Sequence, residues 1–114
     1  MVHIAKGLRV LHHHNVIHRD LKSANIFITG EGVYKLADLN ISKILKESLT
    51  KTQTGTPYYC SPEIWKEIPY GSQSDMWSLG CVLYEMASGK PPFAANDIQG
   101  LFKKICSGIF PRIP

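Results

Sequence analysis

His18-Arg19-Asp20-Leu21-Lys22-Ser23-Ala24-Asn25-Ile26-Phe27-Ile28-Thr29-Gly30-Glu31-Gly32-Val33-Tyr34-Lys35-Leu36 is the stretch on which the fold turns. Its first half has no clean hydrophobic period, so neither a helix nor a strand accounts for it. Its second half holds two short β-prone runs, Ile26-Phe27-Ile28 and Val33-Tyr34-Lys35-Leu36, around Thr29-Gly30-Glu31-Gly32. Two strands about a Gly-bearing turn predict a hairpin.

Upstream, Ile4, Leu8 and Leu11 recur at helical spacing between Met1 and about His13, predicting an amphipathic helix that starts without an N-cap. The His12-His13-His14 run suits a helix C-terminus, where imidazoles are welcome near the dipole. Adjacent helix positions do not converge on one metal ion. Downstream, Asp38 to about Pro62 is polar and Thr-rich, too long for a plain connector and expected to be a functional loop. Ser74 is expected to cap a helix that runs through Met86, is apolar on nearly every side and so is expected to be buried all round, and stops at Gly89 before Pro91-Pro92. Asn96 with Gln99 resembles a capping box for a last helix with the face Ile98, Leu101, Phe102 and Ile105, closed by Gly108.

The 114 residues are 44% hydrophobic and 19% charged, an ordinary globular composition that argues against disorder, collagen-like repeats and a disulfide mini-protein. The net charge of +4 is spread from Lys6 to Arg112 without a run, too diffuse for a nucleic-acid stripe. Cys60, Cys81 and Cys106 are odd in number and widely spaced, which suggests neither a disulfide framework nor a zinc site and fits a reducing, intracellular compartment, cytosolic or nuclear. No segment approaches the ~18 apolar residues of a membrane span.

Three motifs follow one another: residues 18–25, then Asp38-Leu39-Asn40, then Gly55-Thr56-Pro57-Tyr58-Tyr59-Cys60-Ser61-Pro62-Glu63. Their order and spacing resemble the protein-kinase signature set over essentially the whole chain. Within that family, residues 38–43, 52–59 and 100–105 resemble the NIMA-related serine/threonine kinases. The resemblance implies an α+β, protein-kinase-like fold: a mainly helical C-terminal lobe with a small β-hairpin, residues 1–114 forming a partial domain.

It also implies a chemistry, transfer of the terminal phosphoryl group of ATP, with Mg2+, to Ser or Thr of protein substrates. On that pattern Asp20 aligns the acceptor hydroxyl and takes its proton. Asn25 and Asp38 are the hard oxygen ligands suited to a hard cation. Lys22 meets the transferring phosphoryl group. A Lys at this point resembles the serine/threonine class, as does Thr56, whose hydroxyl is implied to reach Asp20 and Lys22. Arg19 beside Asp20 resembles kinases switched on by loop phosphorylation, with Lys43 as a second cation for the phosphate. Thr52 is the expected activating site, followed by Thr54, Thr50 and Ser48. Glu63 and Asp75 are expected to be architectural: the first with its usual Arg partner beyond Pro114 and so unpaired, the second capping its helix and holding the backbone around His18 and Arg19.

Taken singly, an Asp, Asn or Lys is more often a turn former or solvated surface than a catalyst; the combination and its order carry the reading. Leu39 and Asn40 stand where the family usually has Phe and Gly. Leu39 is expected to fill the apolar slot against His18, and Asn40 tolerates positive φ. The sequence holds no Gly-x-Gly-x-x-Gly loop, strand Lys of the Val-Ala-Ile-Lys type or helix Glu to pair with it, so the N-terminal lobe is expected to be absent, as are the helices that normally follow Pro114. A fragment of an active kinase is therefore expected; a short binding or decoy module is the alternative. Small-molecule kinases are disfavoured by Gly55-Thr56-Pro57 and Ser61-Pro62-Glu63, and a nucleic-acid binder by the want of aromatics interleaved with a basic patch.

Overall fold

The computed structural model describes residues 1–39, 57–69 and 71–113. In chain order these form helix α1 (Val2–His13), a single 3-10 turn (Ser23–Asn25), strands β1 (Ile26–Ile28) and β2 (Tyr34–Leu36), and helices α2 (Pro62–Trp65), α3 (Ser72–Ser88) and α4 (Ile98–Ser107). None of these helices is long and apolar enough to cross a membrane.

α1 has no side-chain cap, and its apolar stripe buries Ile4 and Leu8. The chain leaves the helix through Asn15 at φ 57°, a left-handed conformation that Asn tolerates better than most residues. The expected hairpin forms, antiparallel, with Ile26 opposite Leu36 and Ile28 opposite Tyr34. Gly32, at φ 77°, closes its turn by donating to the Thr29 carbonyl (2.9 Å). Ile4, Leu8, Leu21 and Leu79 make the first core cluster, with Ile26, Tyr34 and Leu36 packed on its edge. The hairpin is thereby tied to α1 and α3.

α3 departs from expectation in two ways. It begins at Ser72 behind Gly71, with no side-chain cap; Ser74 lies inside the first turn, fully buried, where its hydroxyl donates to Glu63 instead. It is also not covered all round. Ser74, Asp75, Ser78, Leu79, Cys81 and Val82 are buried, while Met76, Leu83 and Met86 stay about half exposed. At 100° per residue the first set spans one side of the helix, and the two clusters that cover it leave the other side open. The C-terminus matches expectation, with Gly89 left-handed at φ 74° and its amide bonded to the Glu85 carbonyl (2.8 Å).

For α4 the cap is one residue later than expected: Asp97, not Asn96, accepts from the Gly100 amide (2.6 Å). The carboxylate is the side chain in reach of the third helical amide, which is the geometry a cap requires. A Cβ on Gly100 would lie 3.2 Å from that carboxylate and from Ala95 Cβ, so glycine suits the position. Leu101 and Ile105 are buried as expected, whereas Ile98 is exposed and the buried face starts one turn later. These two residues join Cys81 and Phe93 in a second cluster, edged by Tyr58, Tyr59, Trp65 and Trp77. The Trp77 and Phe93 rings stack at 5.6 Å and 7°.

Candidate active site

The irregular segment 18–25 is held by a buried carboxylate. Asp75, fully buried in the first turn of α3, accepts from the backbone amides of His18 (2.8 Å) and Arg19 (3.0 Å) and from the His12 ring (2.8 Å). A carboxylate only accepts, so His12 Nε2 carries the proton in this contact. The two amide bonds hold Arg19 at φ 70°, a conformation that costs a non-glycine residue energy and persists where its surroundings enforce it. Asp75 thus holds the backbone around His18 and Arg19; as a helix cap it plays no part, because the cap position is Gly71.

His18, 1% exposed, ties the loop to the end of the hairpin. Its Nε2 faces the Ala37 carbonyl (3.1 Å) and therefore donates, while Nδ1 accepts from the Asp20 amide (3.3 Å). These partners fix the neutral tautomer with the proton on Nε2. Ala37 also donates its amide to the Asn25 carbonyl (2.9 Å). The residue before Asp38 is thus bonded to both ends of the 18–25 segment. Asp38 follows, exposed, at φ 59°. Leu39 is 42% exposed and belongs to neither core cluster, and the polar edge of the His18 ring meets the Ala37 carbonyl.

Asp20, Lys22 and Asn25 converge. The Asp20 carboxylate lies 3.1 Å from Lys22 Nζ, and the buried Asn25 amide nitrogen donates to the Asp20 carbonyl (2.8 Å) and carboxylate (3.3 Å). Because its nitrogen serves Asp20, the Asn25 side chain has its carbonyl Oδ1 as its remaining acceptor. A carboxylate on Asp38 and an amide oxygen on Asn25 are a hard-donor pair that fits Mg2+. Among the described residues no three His, Cys, Asp or Glu side chains gather into a metal cluster.

The segment Pro57–Glu63 lies against this loop. Tyr59 Oη sits 2.9 Å from Ser23 Oγ and donates to Glu85 Oε2 (2.7 Å). Burial raises the Tyr59 phenol pKa, and the Glu85 charge and hydrogen bond add to this, while the Ser23 bond opposes it. Ser78 Oγ donates to the Tyr59 carbonyl (2.8 Å). Burial pushes the Cys60 thiol up to about 11, with the Asp20 charge adding and the Lys22 charge opposing; the thiol therefore lies within the field of the Asp20–Lys22 pair. Glu63 is not left unpaired, since Ser74 Oγ donates to it (2.6 Å). Burial raises its carboxyl, and the Ser74 bond with further local hydrogen bonds outweighs that, leaving the pKa lowered.

Lys43, Ser48, Thr50, Thr52, Thr54 and Thr56, together with Asn40, lie outside the described residues. Three groups of contacts lie outside the sequence reading: His12 to Asp75, Tyr59 to both Ser23 and Glu85, and Ser74 to Glu63. The first had a signal, for His12 continues the Ile4, Leu8 stripe at four-residue steps and so points inward, unlike its two neighbours. The other two join residues 36, 26 and 11 positions apart, with no local pattern to mark them.

A hairpin flanked by an Asp–Lys–Asn cluster, with its backbone hung on a buried helix carboxylate, defines a class, and comparison with known proteins agrees: residues 1–113 match the protein kinase domain family. The chain belongs to the protein-kinase family, in its NIMA-related serine/threonine branch. It is 44% identical to the serine/threonine-protein kinase Nek3 of Mus musculus over 99% of this chain and 22% of that protein. It is 47% identical to the human Nek5 kinase over 98% of this chain and 16% of the relative, and 45% identical to Mus musculus Nek1 over 98% and 10%. The chain thus spans between 10% and 22% of the length of these relatives.

Proposed function

We propose that this chain is the mainly helical C-terminal lobe of a serine/threonine kinase, a partial domain that is inactive alone and, within the complete two-lobed kinase, serves transfer of the terminal phosphoryl group of ATP, with Mg2+, to Ser or Thr of protein substrates. The observation that carries this reading is the grip of Asn25 on both the carbonyl and the carboxylate of Asp20, with Lys22 at 3.1 Å. Such a grip orients the carboxylate before an acceptor arrives, and preorganisation of this kind is most of what phosphoryl transfer asks of a protein.

In this reading Asp20 aligns the acceptor hydroxyl and takes its proton. Lys22 places its ammonium beside the same carboxylate, where it meets the negative charge of the transferring group. Asn25 Oδ1 and the Asp38 carboxylate hold Mg2+, which when bound neutralises charge on the phosphates. The segment Pro57–Glu63 seats the protein substrate, with Thr56 reaching Asp20 and Lys22. Thr52, with Thr54 behind it, receives an activating phosphate that Arg19 and Lys43 clamp. His18, Glu63 and Asp75 hold the frame.

The test is a chimera in which residues 1–113 replace the matching segment of the Mus musculus Nek3 kinase. It is expected to label a Ser/Thr peptide and not a Tyr peptide, and Asn25→Ala is expected to raise the Mg2+ concentration for half-maximal labelling about tenfold. A chimera that folds yet transfers no phosphate overturns the proposal.

A further inference from the structure

Between the Asp20 cluster and the segment Pro57–Glu63 stands one side-chain bridge that the proposed chemistry does not use. Ser23 lies next to Lys22 and two residues before Asn25, and its hydroxyl is 2.9 Å from Tyr59 Oη. The Tyr59 hydroxyl has one proton, and that proton goes to Glu85 Oε2 at 2.7 Å. The Ser23–Tyr59 bond therefore runs one way: Ser23 donates and Tyr59 accepts. Glu85 sits on α3, the helix that also carries Asp75 and the Ser78 hydroxyl bonded to the Tyr59 carbonyl. Tyr59 is thus fixed to α3 at its backbone and its ring end, and Ser23 fastens the loop of the Asp20 cluster to that fixed point.

We propose that Ser23 is a positioning residue: through a directed chain from Ser23 to Tyr59 to Glu85 it sets the height of the substrate-seating segment relative to Asp20. The proposal rests on the kinase reading above for its functional consequence, though the chain itself is a matter of geometry. Ser23 touches no reacting atom. Its loss leaves the Tyr59 proton on Glu85 and frees only the link to the loop, so the effect falls on peptide engagement and not on ATP.

The experiment is a double-substitution cycle in the same chimera, using a Ser/Thr peptide as probe. Ser23→Ala is expected to raise the peptide KM about three- to tenfold, the range of one net hydrogen bond, with the ATP KM unchanged and the melting temperature lowered by only about 2–4 °C. Ser23→Thr, which keeps the hydroxyl, restores the KM. In a Tyr59→Phe background Ser23→Ala adds nothing further. Amide hydrogen exchange over residues 58–60, which needs no catalysis, is expected to quicken with Ser23→Ala and not to quicken further when Tyr59→Phe is already present. Unchanged peptide KM and unchanged exchange, or effects of the two substitutions that simply add, overturn the chain. If the chimera transfers no phosphate the kinase reading falls, and the exchange cycle alone decides whether the bridge exists.

Discussion

Both walls of the site hang on α3, yet they hang differently. Segment 18–25 is held by one buried carboxylate that accepts two backbone amides and an imidazole. Segment 57–63 is held by neutral hydroxyls, Ser78 to the Tyr59 carbonyl and Ser74 to Glu63, and by the Tyr59–Glu85 bond. A buried charge whose donors are all supplied is costly to disturb, because removing it strands every donor in a dry interior. A hydroxyl bond is worth roughly 1 kcal/mol net to a carbonyl and about 1.5–3 kcal/mol to a carboxylate such as Glu63 or Glu85, and each is lost more cheaply than the Asp75 hub. Segment 18–25 is thus built as a fixed element and segment 57–63 as an adjustable one.

Asp75→Ala should break that contrast most severely. It leaves the amides of His18 and Arg19 without an acceptor, and in the chimera is expected to lower stability by about 3–5 kcal/mol, read as a fall in the urea midpoint. A loss under about 1 kcal/mol would show that the loop does not depend on the carboxylate. Ser78→Ala removes the donor to the Tyr59 carbonyl and is expected to cost about 1–2 kcal/mol, with faster hydrogen exchange near Tyr59 and none added at His18.

Ser74→Ala sharpens the comparison through pH. Glu63 has a lowered pKa in the folded protein, so it contributes stability that is present above its ordinary value of 4.5 and lost as pH falls through the lower folded value. Without the Ser74 bond the Glu63 pKa rises and the loss of stability below pH 4.5 becomes shallower; an unchanged acid limb would count against the bond. A further effect is alkaline. Burial lifts Cys60 to about 11 and, with the charges of Cys60 and Glu85 adding, Cys81 to about 12, both from 9.0. Thiols raised on folding favour the native state below the unfolded value, so stability is expected to fall as pH climbs from about 9 through these values. At neutral pH both should alkylate slowly until the protein is unfolded.

The hairpin, the helices and both glycine stops were legible because each is written in local periods and turn residues: Ile26 to Leu36 for the strands, Ile4 and Leu8 for α1, Gly89 and Gly108 for the ends. α3 was misread as apolar on nearly every side because its pattern counts Met76, Leu83 and Met86 as core, while Ser74, Asp75 and Ser78 face inward. Periodicity does not reveal that a helix buries hydroxyls and a carboxylate to bind other segments. Asp20, Lys22 and Asn25 were legible as a group by their spacing, and the structure brings those three together. The bridge from Ser23 to Tyr59 spans 36 residues and depends on the tertiary fold alone.

Asp20, gripped by Asn25 and paired with Lys22, is proposed to serve phosphoryl transfer. Labelled phosphate passed to a Ser/Thr peptide by the chimera carrying Asp20→Ala tests it most directly. Turnover is expected to fall about 10²–10⁴-fold, with the fold intact by thermal melting; labelling within twofold of the unsubstituted chimera would rule out this role for Asp20.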